Sequence, residues 1–516
     1  MRNIKNMRNL LAYSLMTALF VGGSACTNLD EELQDRFTED FKPSNQGVGN
    51  KDNVNKPQPN DGLQAAFSKV LDGTATNGGF FAVQEGGTDE AVITQKGGDW
   101  YDGGLYIKMH HHEYTPQTWA INDAWTQAYG GIFQCNTINE ATTSTVAQKA
   151  QVRMLRAYFY WRLLDVFGNV PIVLKPGVDA AQSTRAQVYA FIESEILAII
   201  PDLPAGKQEY GRVSKGAAYA LLARLYLNAQ VYTGTAQNQK ASDAADQVIN
   251  SGVYSLSPVY SEIFDPHNVE NVEHIFVAPF DESTGTGSPW PMMTLHYPSQ
   301  LTWKFQSQPW NGFSTLEDFY NSYEDADKRK KANFIVGPQF DFSGENQLLD
   351  LAFDKGDPDG AGLNYTPHIN MLFPNASRQG GARFGKFAFK NGQKNDADND
   401  FPLLRYGEVL LNKAEAQMRL GNSAGALTLV NQIRARAGAS ALTTLTEGVM
   451  LAERGRELFV EALRRTDLIR FGVYGNAWWE KQVDPNAANH IIMAIPIEQM
   501  QASASTAFPL KQNPGY

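Results

Sequence analysis

The chain has few of the residues that would hold a small secreted fold together. It carries two cysteines in 516 residues, Cys26 and Cys135. If Cys26 is used elsewhere, no internal disulfide remains and the fold rests on its hydrophobic core. Positive charge is also short: 44 Lys and Arg stand against 55 Asp and Glu, a formal net charge of -11. That excludes non-specific nucleic-acid binding, which needs a basic surface to displace phosphate counterions. Beyond the N-terminus no apolar run is long enough to span a bilayer. The sequence contains no P-loop, no dinucleotide fingerprint and no Gly-x-Ser-x-Gly elbow, so the common nucleotide and α/β-hydrolase chemistries have no carrier here.

What is present begins with a targeting pattern. Arg2, Lys5 and Arg8 precede an apolar stretch from Leu10 to Val21, and Gly23-Ser24-Ala25 places small residues before Cys26. This pattern predicts a bacterial lipoprotein signal over 1–25, cleaved before Cys26, whose thiol would carry diacylglycerol and hold the protein to a membrane. Gly23 stands where Leu is more usual. Residues 26–60 are polar and aperiodic, as expected of a tether or arm. Cys135 lies in a helical pattern and reads as a small buried apolar residue.

Residues 61–516 read as one mainly α domain. Helical periodicity runs over Trp119–Glu140, Val146–Phe167, Arg185–Ile200, Lys215–Val231 and Ala241–Asn250. It resumes as a hairpin over Leu403–Gly438, broken at Gly421-Asn422, and continues from Leu451 to Gly472, where Glu461 and Arg465 stand at i,i+4. The pairs resemble tetratricopeptide-type hairpins with small residues at the crossings. The scaffold is therefore about 61–252 and 401–475. Between them, residues 253–400 are rich in Gly, Pro, Asn, Asp, Trp and Tyr, and read as an irregular, loop-rich, ligand-facing insert bearing short strands. Trp119, Trp125 and Trp161 fall on helix positions and are assigned to the scaffold; Trp478 and Trp479 follow the last helix and stay open.

Several stretches, in order, resemble one family. They are AWTQAYGGIFQCN, QVRMLRAYFYWRLLDVFGNVPIV, GRVSKGAAYALLARLYL with VINSGVYSL, NDFPLLRYGEVLLNKAEA, NQIRARAG, ERGRELFVEALRRTDLIRFG, and a terminal Gln512-Asn513-Pro514-Gly515-Tyr516. The chain is identified on these as resembling the SusD/RagB nutrient-binding outer-membrane lipoproteins. A small departure is Gly407, where Ala is commoner and where Gly in a helix costs up to about 1 kcal/mol. The resemblance implies a SusD-like fold, no enzymatic activity, and a lipid-anchored protein on the cell exterior. Asp30, Glu31 and Glu32, just behind Cys26, resemble a surface-export signal. The implied partner is a SusC-like TonB-dependent outer-membrane transporter, to which a captured oligosaccharide or polysaccharide is delivered. The RagB branch keeps a peptide ligand as the alternative; a surface glycosidase and a pure assembly scaffold are further readings.

The residues themselves favour binding over catalysis. Glu408, Glu415, Glu453, Glu457 and Asp467 could pass for paired carboxylates, but they sit among arginines on helices and read as structural ion pairs. Glycoside hydrolysis needs two carboxyls facing each other across a cleft. The run His110-His111-His112 lacks a second ligand cluster, and Asp396–Asp400 lacks the glycine and glutamate of a calcium loop. Asp354–Gly360 reads as a turn-rich loop. No cofactor or metal is expected beyond incidental calcium at these two acidic loops. The stronger signal is aromatic. Trp100 and Tyr101 lie between glycine pairs with Asp102 beside them, preceded by Asp89 and Glu90. Trp290, Tyr297, Trp303 and, as the weakest of the group, Trp310 lie in the insert. Sugar rings stack their C–H faces on such side chains, while their hydroxyls take carboxylate and amide partners. The expected ligand residues are thus Trp100, Tyr101, Asp102, Asp89 and Tyr297, with Trp290 and Trp303 as an opposing wall.

Overall fold

The structure is a computed structural model that describes residues 59–207, 209–351 and 360–516. The targeting segment, Cys26, the arm as far as residue 58 and most of the Asp354–Gly360 loop lie outside the described residues.

After a short helical turn at Gln64–Phe67, whose Ala66 and Phe67 are already core, come helix α1 (Gly79–Glu85) and strand β1 (Ala91–Ile93). Then come α2 (Trp119–Glu140) and α3 (Val146–Phe167), an antiparallel pair. Their ends follow from local chemistry. Thr145 and Gln148 form a reciprocal capping box at the start of α3, with Gln148 N to Thr145 Oγ1 at 3.2 Å and Thr145 N to Gln148 Oε1 at 2.8 Å. Gly168, at φ +70°, ends α3. The helices cross where Gly131 faces Phe159: a Cβ at 131 would lie 2.4 Å from that ring. The pattern repeats in α4 (Arg185–Ile199), capped by Thr184 and Gln187, and in α5 (Lys215–Leu227) packed on α6 (Asn238–Asn250). Val231 falls in a separate short helix, Ala229–Thr233, and not at the end of α5.

The insert contributes β2 (His274–Ala278) and β3 (Phe313–Thr315). Strand β4 (Phe401–Arg405) then leads into α7 (Tyr406–Arg419), α8 (Ser423–Ala437), α9 (Glu447–Leu458) and α10 (Arg464–Arg470). The sheets are two-stranded: β1 pairs antiparallel with β3, and β4 with β2. Leu403 and Leu404, expected in a helix, are thus strand residues. The stretch from 451 to 472 is also not one helix. Val460 (φ +49°) and Ala462 (φ +60°) turn the chain between α9 and α10. Glu461 consequently reaches Arg405 and Lys386, and Arg465 reaches Asp165, instead of each other.

The insert is less a separate layer than its composition suggests. Phe276, Trp290, Phe313, Phe384 and Phe387 join Phe81, Trp161, Phe401 and Phe459 in one buried cluster. A buried ion network ties the same parts together. Arg405 contacts both carboxylate oxygens of Glu461 at 2.7 Å, Glu457 at 2.8 Å and Glu273 at 3.1 Å. Arg329, from the insert, contacts Glu453 at 2.8 Å, Glu457 at 3.1 Å and Asp327 at 2.7 Å. Arg436 bridges Glu273 and Glu457. These guanidinium groups hold Glu457 well below the ordinary carboxylate range despite its burial. A second network joins Glu415, Arg454, Asp467 and Arg470, and Glu408 pairs with Arg224. The acids of the C-terminal helices are therefore structural partners.

Gly407 sits inside the first network. A Cβ there would lie 2.4 Å from an Arg405 guanidinium nitrogen and 3.0 Å from both Glu273 and Glu457 oxygens. Helix propensity alone would make Gly407→Ala stabilising by about 1 kcal/mol. The expected outcome is a loss of about 1–3 kcal/mol from overpacking, read as a lower denaturation midpoint. A variant as stable as the parent would show that the network yields.

Candidate ligand-binding site

Two loops build an aromatic face at the end of the β1–β3 pair. The first runs from β1 through Trp100. Its backbone closes on itself, with Lys96 N to Asp99 O at 3.0 Å, and is laced to the 372–376 segment by Gln95 N to Leu372 O (2.9 Å), Gly97 N to Pro374 O (3.0 Å) and Ala376 N to Gln95 O (2.9 Å). The second loop, Trp310-Asn311-Gly312, leads into β3. The Trp100 indole joins the two: its Nε1 donates to the Trp310 carbonyl at 2.5 Å. The ring lies against Gly312, where a Cβ would come within 2.6 Å of Trp100 Cζ2, and meets Tyr106 edge-on at 5.6 Å.

Trp100 (φ +60°), Asp102 (φ +41°) and Asn311 (φ +57°) all occupy the left-handed region. For a bulky side chain this is an outlier, held only where the surroundings over-determine it. Trp100 is half-buried and braced; its flanking glycines do not leave the ring loose. Beside it Tyr101 is 53% exposed, Trp310 is 40% exposed, and Asp102, Phe373 and Asn375 are exposed. Tyr297 is half-buried and gives its hydroxyl to Asp99, which with burial raises the phenol above its ordinary range. The arrangement offers flat rings, carboxylates and an amide on one surface.

The structure separates the sequence-derived residues. Trp100, Tyr101, Asp102 and Tyr297 stand on or beside this face. Trp290 and Trp303 do not, which corrects the expected opposing wall. Trp290 is 1% exposed, packed against Phe81, Phe384 and Phe387, with its Nε1 on the Lys386 carbonyl at 2.6 Å. Trp303 is 8% exposed, between Phe305 and Phe389. Asp89 is bound by both arms of Arg464, at 2.6 and 2.7 Å, and Glu90 is buried beside Glu85. Neither is presented to a ligand. Trp119 opens the scaffold helix α2, as its helix position implies, and is half exposed, leaning over Gly78. Trp478 and Trp479 are partly buried against the small cluster of Val92, Leu316, Ile369 and Leu372.

Residues that sequence reasoning undervalued or missed are Trp310, Phe373 and Asn375. The turn sequence Trp310-Asn311-Gly312 was the available signal. The histidines serve packing. His110 bonds the Trp479 carbonyl at 2.8 Å, and His112 stacks on Tyr474 at 4.1 Å; burial pushes both well below the ordinary imidazole range, His110 to about 4 and His112 to about 3. In the acidic run, Asp398 holds Lys390 and Asp400 accepts from Tyr210. Among the described residues no three His, Cys, Asp or Glu side chains gather as a metal-holding group. A separate groove of about 510 Å³ lies between α2 and the C-terminal segment, lined by Tyr129, Val173, Phe508 and Leu510. Its Ser503 and Thr506 hydroxyls are taken by backbone carbonyls, so it offers less to a polar ligand.

The helical-hairpin scaffold thus carries an open aromatic face. The chain belongs to the SusD family. The SusD family model matches residues 272–516, and a second, described as starch-binding associating with outer membrane, matches residues 82–227. The chain is 29% identical over 361 residues to the starch-binding protein SusD of Bacteroides thetaiotaomicron, covering 64% of this chain and 65% of that protein's length. It is 23% identical to the SusD-like protein P25 of Formosa agariphila, over 78% of this chain and 80% of the relative. Among solved structures, it is similar to surface glycan-binding protein A of Bacteroides thetaiotaomicron in complex with laminarihexaose. That match has a TM-score of 0.69 and 22% identity, and covers 88% of this chain and 98% of the other. A SusD superfamily protein of Parabacteroides distasonis gives a TM-score of 0.70 at 21% identity, with coverage of 88% and 98%. The fold is SusD-like, as the sequence pattern implies.

Two outcomes are expected from this geometry. Gly312→Ala places a methyl on the Trp100 ring, so tryptophan emission should shift to longer wavelength; unchanged emission would mean that the ring has room to move. Glu85 and Glu90 are both raised by burial, Glu90 to about 7, from the ordinary 4.5. A carboxyl raised on folding contributes its full stability below the unfolded value and loses it as pH rises through the folded one. Thermal stability should therefore fall between pH 5 and 8, and Glu85→Gln should flatten that fall.

Proposed function

We propose that this protein is a cell-surface glycan-capture lipoprotein that delivers its ligand to a SusC-like TonB-dependent outer-membrane transporter. The observation that carries the reading is the face of Trp100, Tyr101 and Trp310, fixed by strained backbone and flanked by Asp102 and Asn375. Rigid exposed rings stack on sugar C–H faces without losing rotamer freedom on binding. Each stacked ring would contribute about 1.5–2.5 kcal/mol. Two or three such contacts, less the ordering cost, correspond to dissociation constants on the order of micromolar to millimolar. Retention of an oligomer that weakly bound at one end is then assisted by its repeats, which present several equivalent registers to the same face.

The supporting relatives are the starch-binding protein SusD and the solved laminarihexaose complex. The proposed anchor is diacylglycerol on Cys26, on the exterior of the outer membrane, with residues 26–60 as the tether. The protein binds without turnover: Asp99 is committed to Tyr297, and the acids of the C-terminal helices are committed to arginines.

The test is calorimetry of the soluble chain, truncated after Cys26, against soluble polysaccharides, oligosaccharides and peptides. Trp100→Ala should weaken the best glycan at least tenfold, about 1.4 kcal/mol. Binding of peptides alone would move the protein to the RagB-like reading, and glycan binding untouched by Trp100→Ala would displace the site.

A further inference from the structure

Beneath the aromatic face lies a lysine that the binding reading does not use. Lys96 is 2% exposed, and its Nζ donates to the Thr94 carbonyl at 3.2 Å and the Gly312 carbonyl at 3.3 Å. It makes no ion pair among the described residues; the Arg383 guanidinium and the Asp99 carboxylate act on it through space. A buried lysine without a carboxylate is costly, and an apolar residue of the same length would avoid that cost. Something in the site must require a donor at this point.

The carbonyl that it holds belongs to the residue on which the Trp100 ring rests. The two loops of the face are thus tied twice, by the lysine through Gly312 and by the indole through Trp310. Gly312 follows Asn311, whose φ of +57° leaves the turn dependent on outside contacts. Burial and the Arg383 guanidinium hold the amine well below the ordinary lysine range. A neutral amine has two N–H donors, which matches the two carbonyls in reach.

We propose that Lys96 is a positioning residue of the ligand site: by clamping Thr94 and Gly312 it fixes the turn that seats the Trp100 ring. The inference rests on the reading of the Trp100 face as the binding site, and it acts on the ring's placement, which can be read without ligand.

The experiment compares wild type, Lys96→Met and Lys96→Gln, labelled with 5-fluorotryptophan and observed by 19F NMR, with Trp100 and Trp310 assigned by substitution. Lys96→Met should keep its thermal midpoint within about 2 °C of wild type. Its Trp100 and Trp310 resonances should shift or broaden, while those of Trp125 and Trp161 stay in place. Lys96→Gln, which keeps a shorter donor, should lie between. Affinity for the best glycan should fall at least tenfold in Lys96→Met, and the loss should vanish in a Trp100→Ala background. Unmoved Trp100 and Trp310 resonances would overturn the proposal, as would failure of both variants to fold. If wild type binds no glycan, or Trp100→Ala binds normally, the binding reading fails while the NMR result still decides whether Lys96 places the ring.

Discussion

The structure depends on one buried constraint, the ion network centred on Arg405, Glu457 and Glu461. Its members come from distant segments: Glu273 and Arg329 from the insert, Arg405 from β4, Arg436 from α8, and Glu453, Glu457 and Glu461 from α9 and the turn beyond it. Glu273, Glu453 and Glu457 each face more than one guanidinium, and Glu461 faces Arg405 and the Lys386 ammonium, so the charges neutralise one another where water cannot. A network of this kind adds little net stability over a well-packed apolar core, because desolvation offsets attraction. What it adds is direction. Losing one partner strands a buried charge, at a cost of about 3–5 kcal/mol, so competing arrangements of insert and scaffold are penalised.

That constraint reaches the ligand face through short connections. Val460, held in the left-handed region next to Glu461, donates its N–H to Glu90 at 2.9 Å, and Glu90 immediately precedes β1. Arg464, at the start of α10, fixes Asp89. The strand that leads to Trp100 is therefore anchored at its base by the turn between α9 and α10, and along its length by β3. The helices set where the loop starts; Lys96, Gly312 and the Trp100–Trp310 bond set how the ring is presented.

The scaffold was legible where local chemistry decides the outcome. The limits of α2 and α3 could be read from the sequence because a threonine–glutamine capping box opens α3 and Gly168 closes it. The ion-pair role of Glu457 and Asp467 was legible from their arginine neighbours. Strand β4 was not, since a run such as FPLLR has no period that distinguishes a short buried strand from a helix. Nor was the break after Leu458: valine and alanine at positive φ leave no trace in composition, and only the network explains them. The tryptophans divide in the same way. The loop position of Trp100 was legible from its glycine neighbours, whereas the burial of Trp290 and Trp303 depends on phenylalanines distant in sequence, from Phe81 to Phe389.

The central claim is that a rigid aromatic face, placed by the scaffold and braced from below, is where this protein holds its glycan. The most direct measurement is a crystal structure of the chain, truncated after Cys26, with a bound oligosaccharide of the type that binds best in solution. The account predicts sugar rings lying across Trp100, Tyr101 and Trp310, with hydroxyls toward Asp102 and Asn375 and the two loops unmoved. Sugar found elsewhere, for instance in the groove beside Tyr129 and Phe508, with the Trp100 face bare, would contradict it.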